Sequence, residues 1–500
     1  MPEHKPHILL LINDEHRADV MPVEGNPHIQ TPNLDPIIDR GFYFRNAYTP
    51  SPICVPARQS FLSGLYPRNC GSLNFGDAMP SEVLTIPGHL SRYGYRTCAA
   101  GKMHFVGPDQ MHGWHERIGR DIVGKNGYES ANDPEHQALI EREPGTGSWF
   151  NKVTAEVKNA RAGRGHWLQH DRYSVDGALN FLDEYFVNEP YDRTTANPLL
   201  LAVSLWSPHY PYQCPDDLFA HYLRRVTPYV EDFEDVPEHF QTPDFFKVPV
   251  GEAVTYREAH RATAAYYGMI EWMDGQFGRV LNKLEALNVR DDFAIVFLSD
   301  HGEMLGQKGL WEKQQYFEGS VRVPFAVQWP HRFPNGGSTV HENVSLVDLF
   351  PTLCDIANVP VPENLDGRSV LPLMEGTEHN WPDDVYSELW NVHNGPSVMV
   401  KHGDLKLCRF DGHEGVPGTA DDPWACPEQL YDLGKDPGET VNLIENPEYA
   451  DQLKALRARL DNLPHPRAKD SMNRFTGETR TPYALQHKTL NPPKPGRPKN

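Results

Sequence analysis

The chain has 500 residues, with 68 acidic side chains against 47 Lys and Arg side chains and a formal net charge of −21. This length exceeds what one small core can bury, so a large domain accompanied by a smaller one is expected. The acidic balance argues against general binding to nucleic acids or to anionic membranes. The seven cysteines lack the spacing of metal sites or secreted disulfide frameworks, which favours a reducing, cytoplasmic location.

The first predicted element is a short apolar run at residues 8–12, which Asn13 and Asp14 end. It is too short for a membrane span and does not have the features of a signal peptide. A continuous apolar run of this length predicts a strand buried on both faces of a parallel sheet. Because such sheets bind ligands at the carboxyl ends of their strands, Asp14 is a candidate site residue. The alternative is a solvated loop aspartate.

The next elements lead to a helix that starts at Cys54. Thr31-Pro32 predicts a helix start, and alternating residues at 42–48 predict a strand. A helix start exposes unpaired N–H groups and a positive dipole end, and Arg58 would lie one turn further along the same face. Cys54 and Arg58 therefore favour an anionic substrate. The alternative is a buried structural cysteine.

Two further strand ends carry basic and imidazole side chains. Residues 95–99 predict a strand that leads to Lys102 and His104, and residues 199–205 predict one that leads to His209. Histidines titrate near neutral pH, so each of these two could transfer a proton. The alternative for each is an ordinary hydrogen-bonded histidine.

The longest helical pattern covers residues 256–287, whose apolar stripe predicts a core-packing helix without chemistry. Residues 293–299 predict a third buried strand, which ends at Asp300 and His301. Lys313 follows a short distance beyond it. Strand ends thus repeatedly carry polar or charged residues.

The alternation of strands and helices predicts a doubly wound α/β sandwich, which we assign to residues 1–382. Residues 120–170 show weak periodicity and predict a long insertion over the sheet edge or the active site. A hairpin pattern and a closing helix predict a small α+β domain over residues 383–465. Residues 466–500, rich in Pro, Lys and Arg, predict an arm that would wrap a neighbouring subunit in a dimer or tetramer, with disorder as the alternative.

Carboxylates and one imidazole from separate strand ends form a candidate metal site. Asp14, Asp300 and His301 offer hard oxygens and one nitrogen. Mostly oxygen ligands suit Ca²⁺ or Mg²⁺, whereas the imidazole shifts the preference toward Mn²⁺. A cation together with basic side chains would stabilise charge on a tetrahedral anion. The basic candidates are Arg58, Lys102 and Lys313.

The spacing around Cys54 resembles a known modification motif. Cys54, Pro56 and Arg58, with the later Gly64, resemble the C-x-P-x-R motif of type I sulfatases, in which the cysteine is oxidised to formylglycine. These enzymes belong to the alkaline phosphatase superfamily. The resemblance therefore implies an aldehyde at position 54.

The resemblance extends over most of the chain, from the Asp14 strand to Asp436-Pro437 in the small domain. Residues 101–113 and 309–324 look most like the branch that contains choline sulfatases and phosphonate monoester hydrolases. The small domain and the tail do not look like those of choline sulfatases. A choline-binding aromatic cage is therefore not assumed, although Trp114 and Trp390 could face a cation.

The resemblance implies an alkaline-phosphatase-like fold, sulfate-ester hydrolysis and one divalent cation. It also implies a formylglycine-generating or sulfatase-maturing enzyme that converts Cys54. The residues that would hold the metal are Asp14, Cys54, Asp300 and His301, with Glu15 as an additional candidate. In the implied mechanism, Arg58 and Lys102 would orient formylglycine and the sulfate. His104 would take a proton from the second hydroxyl, and His209 with Lys313 would assist departure of the alcohol.

Three functions remain open from the sequence. The first is hydrolysis of a sulfate monoester on an aryl, alkyl or sugar alcohol. The second is hydrolysis of a phosphonate monoester or a phosphodiester, since each presents a tetrahedral anion with a leaving oxygen. The third is a metal-stabilised scaffold in which Cys54 stays unmodified.

Overall fold

A mixed sheet of eight strands forms the centre of the computed structural model. The structure describes residues 5–75, 77–119, 153–188, 197–229, 247–391, 395–410 and 428–463, with two short strands beyond them. The strand order in the sheet is β10-β2-β9-β8-β1-β6-β3-β4. The strands of the chain up to the end of this sheet are β1 (His7–Asn13), β2 (Phe42–Tyr48), β3 (Arg96–Gly101), β4 (Glu116–Ile118), β5 (Arg161–Ala162), β6 (Leu199–Ser204), β7 (Gln213–Cys214), β8 (Phe293–Ser299), β9 (Phe325–Gln328) and β10 (Ser338–Ser345).

Strand β1 lies at the centre of this sheet and pairs in parallel with β6 and β8. Its residues are buried throughout, because both faces of the sheet are covered. Side chains alternate between the faces, so Leu9 and Leu11 join one core while Ile8 and Leu10 join the other. These two cores confirm the predicted doubly wound α/β architecture. Strand β9 runs antiparallel to its neighbours β2 and β8.

Helices cover both faces of the sheet. The helices described in the whole chain are α1 (Asp35–Asp39), α2 (Cys54–Ser63), α3 (Pro67–Cys70), α4 (Ile86–Ser91), α5 (Val153–Lys158), α6 (His166–Asp183), α7 (Asp216–Tyr222), α8 (Tyr256–Ala286), α9 (Glu318–Val321), α10 (Leu349–Ile356), α11 (Leu371–Met374) and, on the second sheet, α12 (Ala450–Asp461). Helix α8 starts with a capping box between Thr255 and Glu258 and packs in the same core as Leu9. Helix α2 packs Phe61 and Leu62 into the opposite core, so its first turn lies at the sheet's carboxyl edge.

Two predicted elements differ from the structure. The helix expected to start at Thr31-Pro32 begins at Asp35, because the amides of Asn33 and Leu34 instead donate to the Asp274 carboxylate of α8. Most of the insertion predicted at 120–170 lies outside the described residues. Its last part, however, contains the start of α6 and all of α5, and α5 packs in the same core as Leu9.

A second, antiparallel sheet has the order β11-β12-β13-β14. Its strands are β11 (Asp384–Asn391), β12 (Gly395–His402), β13 (Leu405–Phe410) and β14 (Glu428–Asp432). The predicted hairpin is the β12–β13 pair, and α12 packs on this sheet as the predicted closing helix. The domain limits at 382 and 465 stay predictions. Of the 466–500 tail, the structure describes only β15 (Met472–Asn473) and β16 (Glu478–Thr479), which pair with each other.

Buried ion pairs join the two sheets at Lys406 of β13. Its Nζ lies 2.9 Å from Oε1 of Glu318 and 2.5 Å from Oε1 of Glu439. Glu318 also accepts a hydrogen bond of 2.9 Å from the Tyr48 hydroxyl of β2. One buried lysine therefore bridges two carboxylates between the sheets.

Replacing Lys406 by methionine should lower the free energy of unfolding by about 3–5 kcal/mol, because Glu439 loses its lysine partner and Glu318 is left with Arg322, at 3.3 Å. Burial already raises the pKa of Glu439, and loss of the lysine charge would raise it further. A raised folded-state pKa favours folding at low pH and costs stability as the pH rises through it. The deficit should therefore shrink when urea denaturation is measured at about pH 5.5 rather than about pH 7.5. Lys406→Arg, which keeps the charge, is the control, and a methionine variant of unchanged stability would contradict the prediction.

The cysteines and the helices bear on the predicted location. The six described cysteines, of seven in the sequence, are free and buried. Among the described residues, no helix combines the length and the apolar character that crossing a bilayer requires.

Candidate active site

The site lies where the parallel strands of the first sheet end. Asp14 directly follows β1, Lys102 follows β3 and Asp300 follows β8. Because these strands run in the same direction, their carboxyl ends meet at one edge of the sheet. The structure thus brings together side chains that are far apart in the sequence, as predicted.

Gly101 permits a close approach of two of these strand ends. Its φ angle is +95°, and a Cβ atom there would lie 1.9 Å from the carbonyl oxygen of Ser204. A side chain at this position would therefore push β3 away from β6 and displace Lys102. Backbone strain also occurs at the site itself, where Glu15, His104 and Glu312 have φ angles of 65°, 58° and 63°.

Cys54 is the first residue of α2, and its side chain faces the acidic strand ends. Its Sγ lies 3.1 Å from Nε2 of His301 and 3.9 Å from Oδ1 of Asp14. Burial, together with the Asp14 charge, raises the pKa of the thiol to about 12. Without a bound cation, the unmodified thiol is therefore neutral at physiological pH.

Arg58, one turn into α2, binds the ends of four strands. Its guanidinium donates to side chains after β1 and β8, at 3.0 Å to Oδ2 of Asp14 and 2.6 Å to Oδ2 of Asp300. It also donates to the Lys102 carbonyl at 2.8 Å, the Ser204 hydroxyl at 2.9 Å and the Asn13 carbonyl at 3.3 Å. Five donors thus have five acceptors. Arg58 could contact a substrate anion only by giving up one of these bonds.

Lys102 is the second cation at Asp14. Its Nζ lies 2.5 Å from Oδ2 of Asp14 and 3.7 Å from the centre of the Trp206 ring. Burial alone would raise the pKa of Asp14, but Lys102 and Arg58 overcome this and hold the pKa well below its usual range. Asp14 therefore stays ionised inside the protein.

Four atoms that could bind a divalent cation converge beside this pair. They belong to Asp14, Cys54, Asp300 and His301 and lie within 4.8 Å of one another. Nε2 of His301 is 3.9 Å from Oδ1 of Asp14 and 3.7 Å from Oδ1 of Asp300. Oxygen ligands about 2.3–2.6 Å from Ca²⁺ would lie roughly 3.3–3.7 Å apart when they bind at right angles. The spacing of these side chains fits a divalent cation.

The surroundings of His301 and Asp300 also support a divalent cation at this position. Nδ1 of His301 lies 3.0 Å from the Gly302 carbonyl oxygen, which favours a proton on Nδ1 and leaves Nε2 free to bind a cation. Burial and the neighbouring charge of Asp14 raise the pKa of Asp300. A bound cation would relieve this repulsion between the two carboxylates.

Glu15, His209 and Lys313 form a second cluster against Asp14. Nζ of Lys313 lies 2.7 Å from Oε2 of Glu15 and 2.8 Å from Nε2 of His209. Nε2 of His209 is in turn 3.9 Å from Oδ1 of Asp14. The additional metal candidate Glu15 pairs with Lys313, and its carboxylate also lies with atoms of Asp14 and His209 in a second group that could hold a metal ion.

His104 lies in an aromatic wall beside Lys102. Its ring is 5.6 Å from the Trp206 ring and 5.1 Å from the Phe75 ring, measured between centroids. Burial, and then the Lys102 charge, lower the pKa of His104 well below its usual value, so the imidazole is neutral at physiological pH. Trp206 itself stacks on Trp167 of α6 at 3.9 Å.

The aromatic wall around His104, formed by Trp206, Trp167 and Phe75, was not predicted from the sequence. Trp206 lies two residues after the end of β6 (Leu199–Ser204). Residues just after the ends of the other strands also belong to the site. No sequence pattern indicated that Trp167 belongs to the site, because it lies in the 120–170 region without clear periodicity. Trp114, considered as a possible cation-facing residue, is instead 3% exposed in the core on the α2 face of the sheet.

The fold and the site together define an α/β protein with an alkaline-phosphatase-like fold, in which strand ends of the sheet gather cations and carboxylates around the buried Cys54. The solved structures agree with this fold class. The phosphonate monoester hydrolase of Agrobacterium radiobacter aligns with a TM-score of 0.70 and 22% identity, over 95% of this chain and 100% of that one.

Sequence comparisons identify the family. The family described as Sulfatase matches residues 6–359, and the one described as N-sulphoglucosamine sulphohydrolase, C-terminal, matches residues 306–465. A choline-sulfatase of Rhizobium meliloti (strain 1021) is 31% identical over 89% of this chain and 83% of its own length. An arylsulfatase of Clostridium perfringens (strain 13 / Type A) is 30% identical over 91% of this chain and 93% of its own length. The chain belongs to the sulfatase family.

Proposed function

We propose that this sulfatase hydrolyses a sulfate monoester to an alcohol and inorganic sulfate, using a formylglycine made from Cys54 and one divalent cation. The observation that supports this most directly is the convergence of Cys54 Sγ with Asp14, Asp300 and His301. Hydrated formylglycine would supply two hydroxyls, one to attack sulfur and one whose deprotonation releases sulfate.

Asp14, Asp300 and His301 would hold the cation together with the modified side chain at position 54. When bound, a divalent cation would stabilise negative charge on the transferring group. Ca²⁺, Mn²⁺ and Mg²⁺ are the candidates, since the ligands are two carboxylates and one imidazole. Glu15 acts as the partner of Lys313 in this proposal.

Lys102 is the cation best placed to contact the sulfate directly. Only one of its close partners is an anion, Asp14 at 2.5 Å, so its ammonium retains donors for a substrate oxygen. Arg58 holds Asp14 and Asp300 in position and adds positive charge to a water-poor site. This refines the role that the motif resemblance implies for Arg58.

Two histidines would handle the protons. His104 would take the proton from the second hydroxyl of formylglycine, since its imidazole is neutral beside Lys102. The Lys313 ammonium, in contact with Nε2 of His209 at 2.8 Å, would be the proton source, and His209, held as the neutral imidazole, would pass that proton to the oxygen of the departing alcohol. Water supplies the atoms that complete the sulfate and the alcohol, so the net reaction is hydrolysis.

Phosphonate monoester or phosphodiester hydrolysis is the alternative, favoured only by the similar fold of the phosphonate monoester hydrolase. We expect kcat/KM for 4-nitrophenyl sulfate to exceed that for a 4-nitrophenyl phosphonate ester by at least about tenfold. The two esters share a leaving group, so the ratio reports on the transferred anion. Both rates should be measured on one preparation, with Lys102→Met as the control for contaminating activity. A ratio below one would favour the phosphonate function.

A non-catalytic scaffold is not supported, because the family and the cluster of site residues both favour catalysis. A cytoplasmic location, maturation by a formylglycine-generating enzyme and a homo-oligomer remain proposals from the sequence.

A further inference from the structure

Asp171 of α6 is a buried carboxylate next to the site that no role proposed so far uses. Its Oδ1 accepts a hydrogen bond of 2.7 Å from the Trp206 amide. Its Oδ2 accepts bonds of 2.9 Å from the amide and 2.8 Å from the hydroxyl of Ser207. Three donors of the segment that follows β6 are therefore held by one side chain.

The segment held by Asp171 carries two parts of the site. Trp206 presents its ring to Nζ of Lys102. His209 closes a turn on the same segment, with its amide donating to the Trp206 carbonyl at 2.8 Å. His209 then reaches Lys313 through Nε2. The position of the first two residues of this segment therefore affects where the His209 ring lies.

The same helix also holds the far end of the segment. Nε1 of Trp167 donates to the Tyr210 carbonyl at 2.9 Å, and its ring stacks on Trp206. That carbonyl lies 2.6 Å from Nδ1 of His209. Asp171 and Trp167 are four residues apart, so they lie on one face of α6. One face of α6 thus contacts both ends of the 206–210 segment.

We propose that α6 acts as a clamp on residues 206–210 and that Asp171 is the positioning residue that aligns His209 for protonation of the leaving alcohol. The inference rests on the proposed role of His209. Asp171 would not touch the substrate. Its effect would be greatest when the alcohol is a poor leaving group, because such alcohols need a proton most at the transition state.

The main test is Asp171→Asn, which keeps the shape of the side chain but replaces one acceptor oxygen by an NH₂ group that opposes the backbone donors. Kinetics should be measured with aryl sulfates whose phenols differ in basicity. We expect kcat to fall roughly 10- to 100-fold for the most basic phenol, from misalignment of about 1 Å or less. For 4-nitrophenyl sulfate the loss should be clearly smaller. Equal losses across the series would overturn the inference.

Asp274 provides a matched control. It is also a buried carboxylate on a long helix that accepts backbone amide bonds, from Asn33 and Leu34. Burial raises the pKa of both Asp171 and Asp274 to about 7. Asp274→Asn should lower thermal stability by a similar amount but leave the dependence on the leaving group unchanged. If Asp274→Asn changed the dependence on the leaving group as Asp171→Asn does, the cause would be general destabilisation and not positioning.

His209→Ala separates this inference from the proposed function. If His209→Ala itself shows no dependence on the leaving group, the proposed role of His209 is wrong. If it does, the Asp171→Asn/His209→Ala double variant should lose little more than His209→Ala alone, since both changes remove the same step. Losses that multiply would overturn the positioning role while leaving the proposed function intact.

If Asp171→Asn fails to fold, Ser207→Ala provides a second test of the inference. It removes one of the three hydrogen bonds to Asp171 and leaves the carboxylate in place. The expected loss is roughly 2- to 10-fold for the most basic phenol, with less for 4-nitrophenyl sulfate. A uniform loss would contradict the clamp.

Discussion

Replacing Cys54 by alanine is expected to lower kcat/KM for an aryl sulfate by about 10⁴-fold or more, the scale seen when a catalytic nucleophile is removed. Alanine cannot be oxidised to an aldehyde, so both hydroxyls of the proposed nucleophile are lost. The change also removes one of the four atoms that converge on the candidate cation position. The measurement is steady-state hydrolysis, combined with peptide mass analysis of position 54 in the parent protein.

Cys70→Ala is the matched control for this variant. Cys70 is also buried, and burial raises the pKa of its thiol to about 12 as well. It packs against the nucleophile helix, with its Sγ 3.8 Å from Oγ of Ser60. The control should keep nearly full activity. An unmodified thiol at position 54 in protein from the native host, together with unchanged turnover of Cys54→Ala, would disprove the formylglycine mechanism.

Removing the divalent cation should have the second largest effect. We expect dialysis against a chelator to lower kcat by at least about 100-fold, because the transferring group would lose the charge that a metal supplies. The melting temperature should fall too, since Asp14 and Asp300 would then repel each other inside the protein. Elemental analysis, turnover and thermal melts should be followed as Ca²⁺, Mn²⁺ or Mg²⁺ is returned.

The control for metal removal is chelator saturated beforehand with the same ion, which should change nothing. The ion that restores both activity and melting temperature at the lowest concentration identifies the cation. Protein that elemental analysis finds free of metal, yet with full turnover, would contradict the proposed site.

Buried strands and the residues after them could be predicted well from the sequence. Strand β8 occupies the predicted residues 293–299, and β1 extends the predicted 8–12 by one residue at each end. Asp14 and Asp300 were found because polar residues that end apolar runs mark the carboxyl edge of a parallel sheet. That signal is local, so one sequence suffices to read it.

Residues whose position depends on distant packing could not be predicted. The start of α1 moves to Asp35 because Asp274, 241 residues from Asn33, takes the amides that would begin the helix. Asp171 and Trp167 had no signal, since nothing near them indicates which segment they contact. The contact between Glu15 and Lys313 spans 298 residues, so no local pattern indicates it.

The hydrogen bonds of Arg58 indicate which parts of this sulfatase are fixed by the reaction and which parts can change with the substrate. Because one guanidinium joins α2 to four strand ends, displacing any one of these elements would break a hydrogen bond that also positions the others. Adaptation to a different alcohol must therefore come from the surrounding loops and not from the centre. Substitutions in those loops would change which esters are accepted and would leave the reaction itself unchanged.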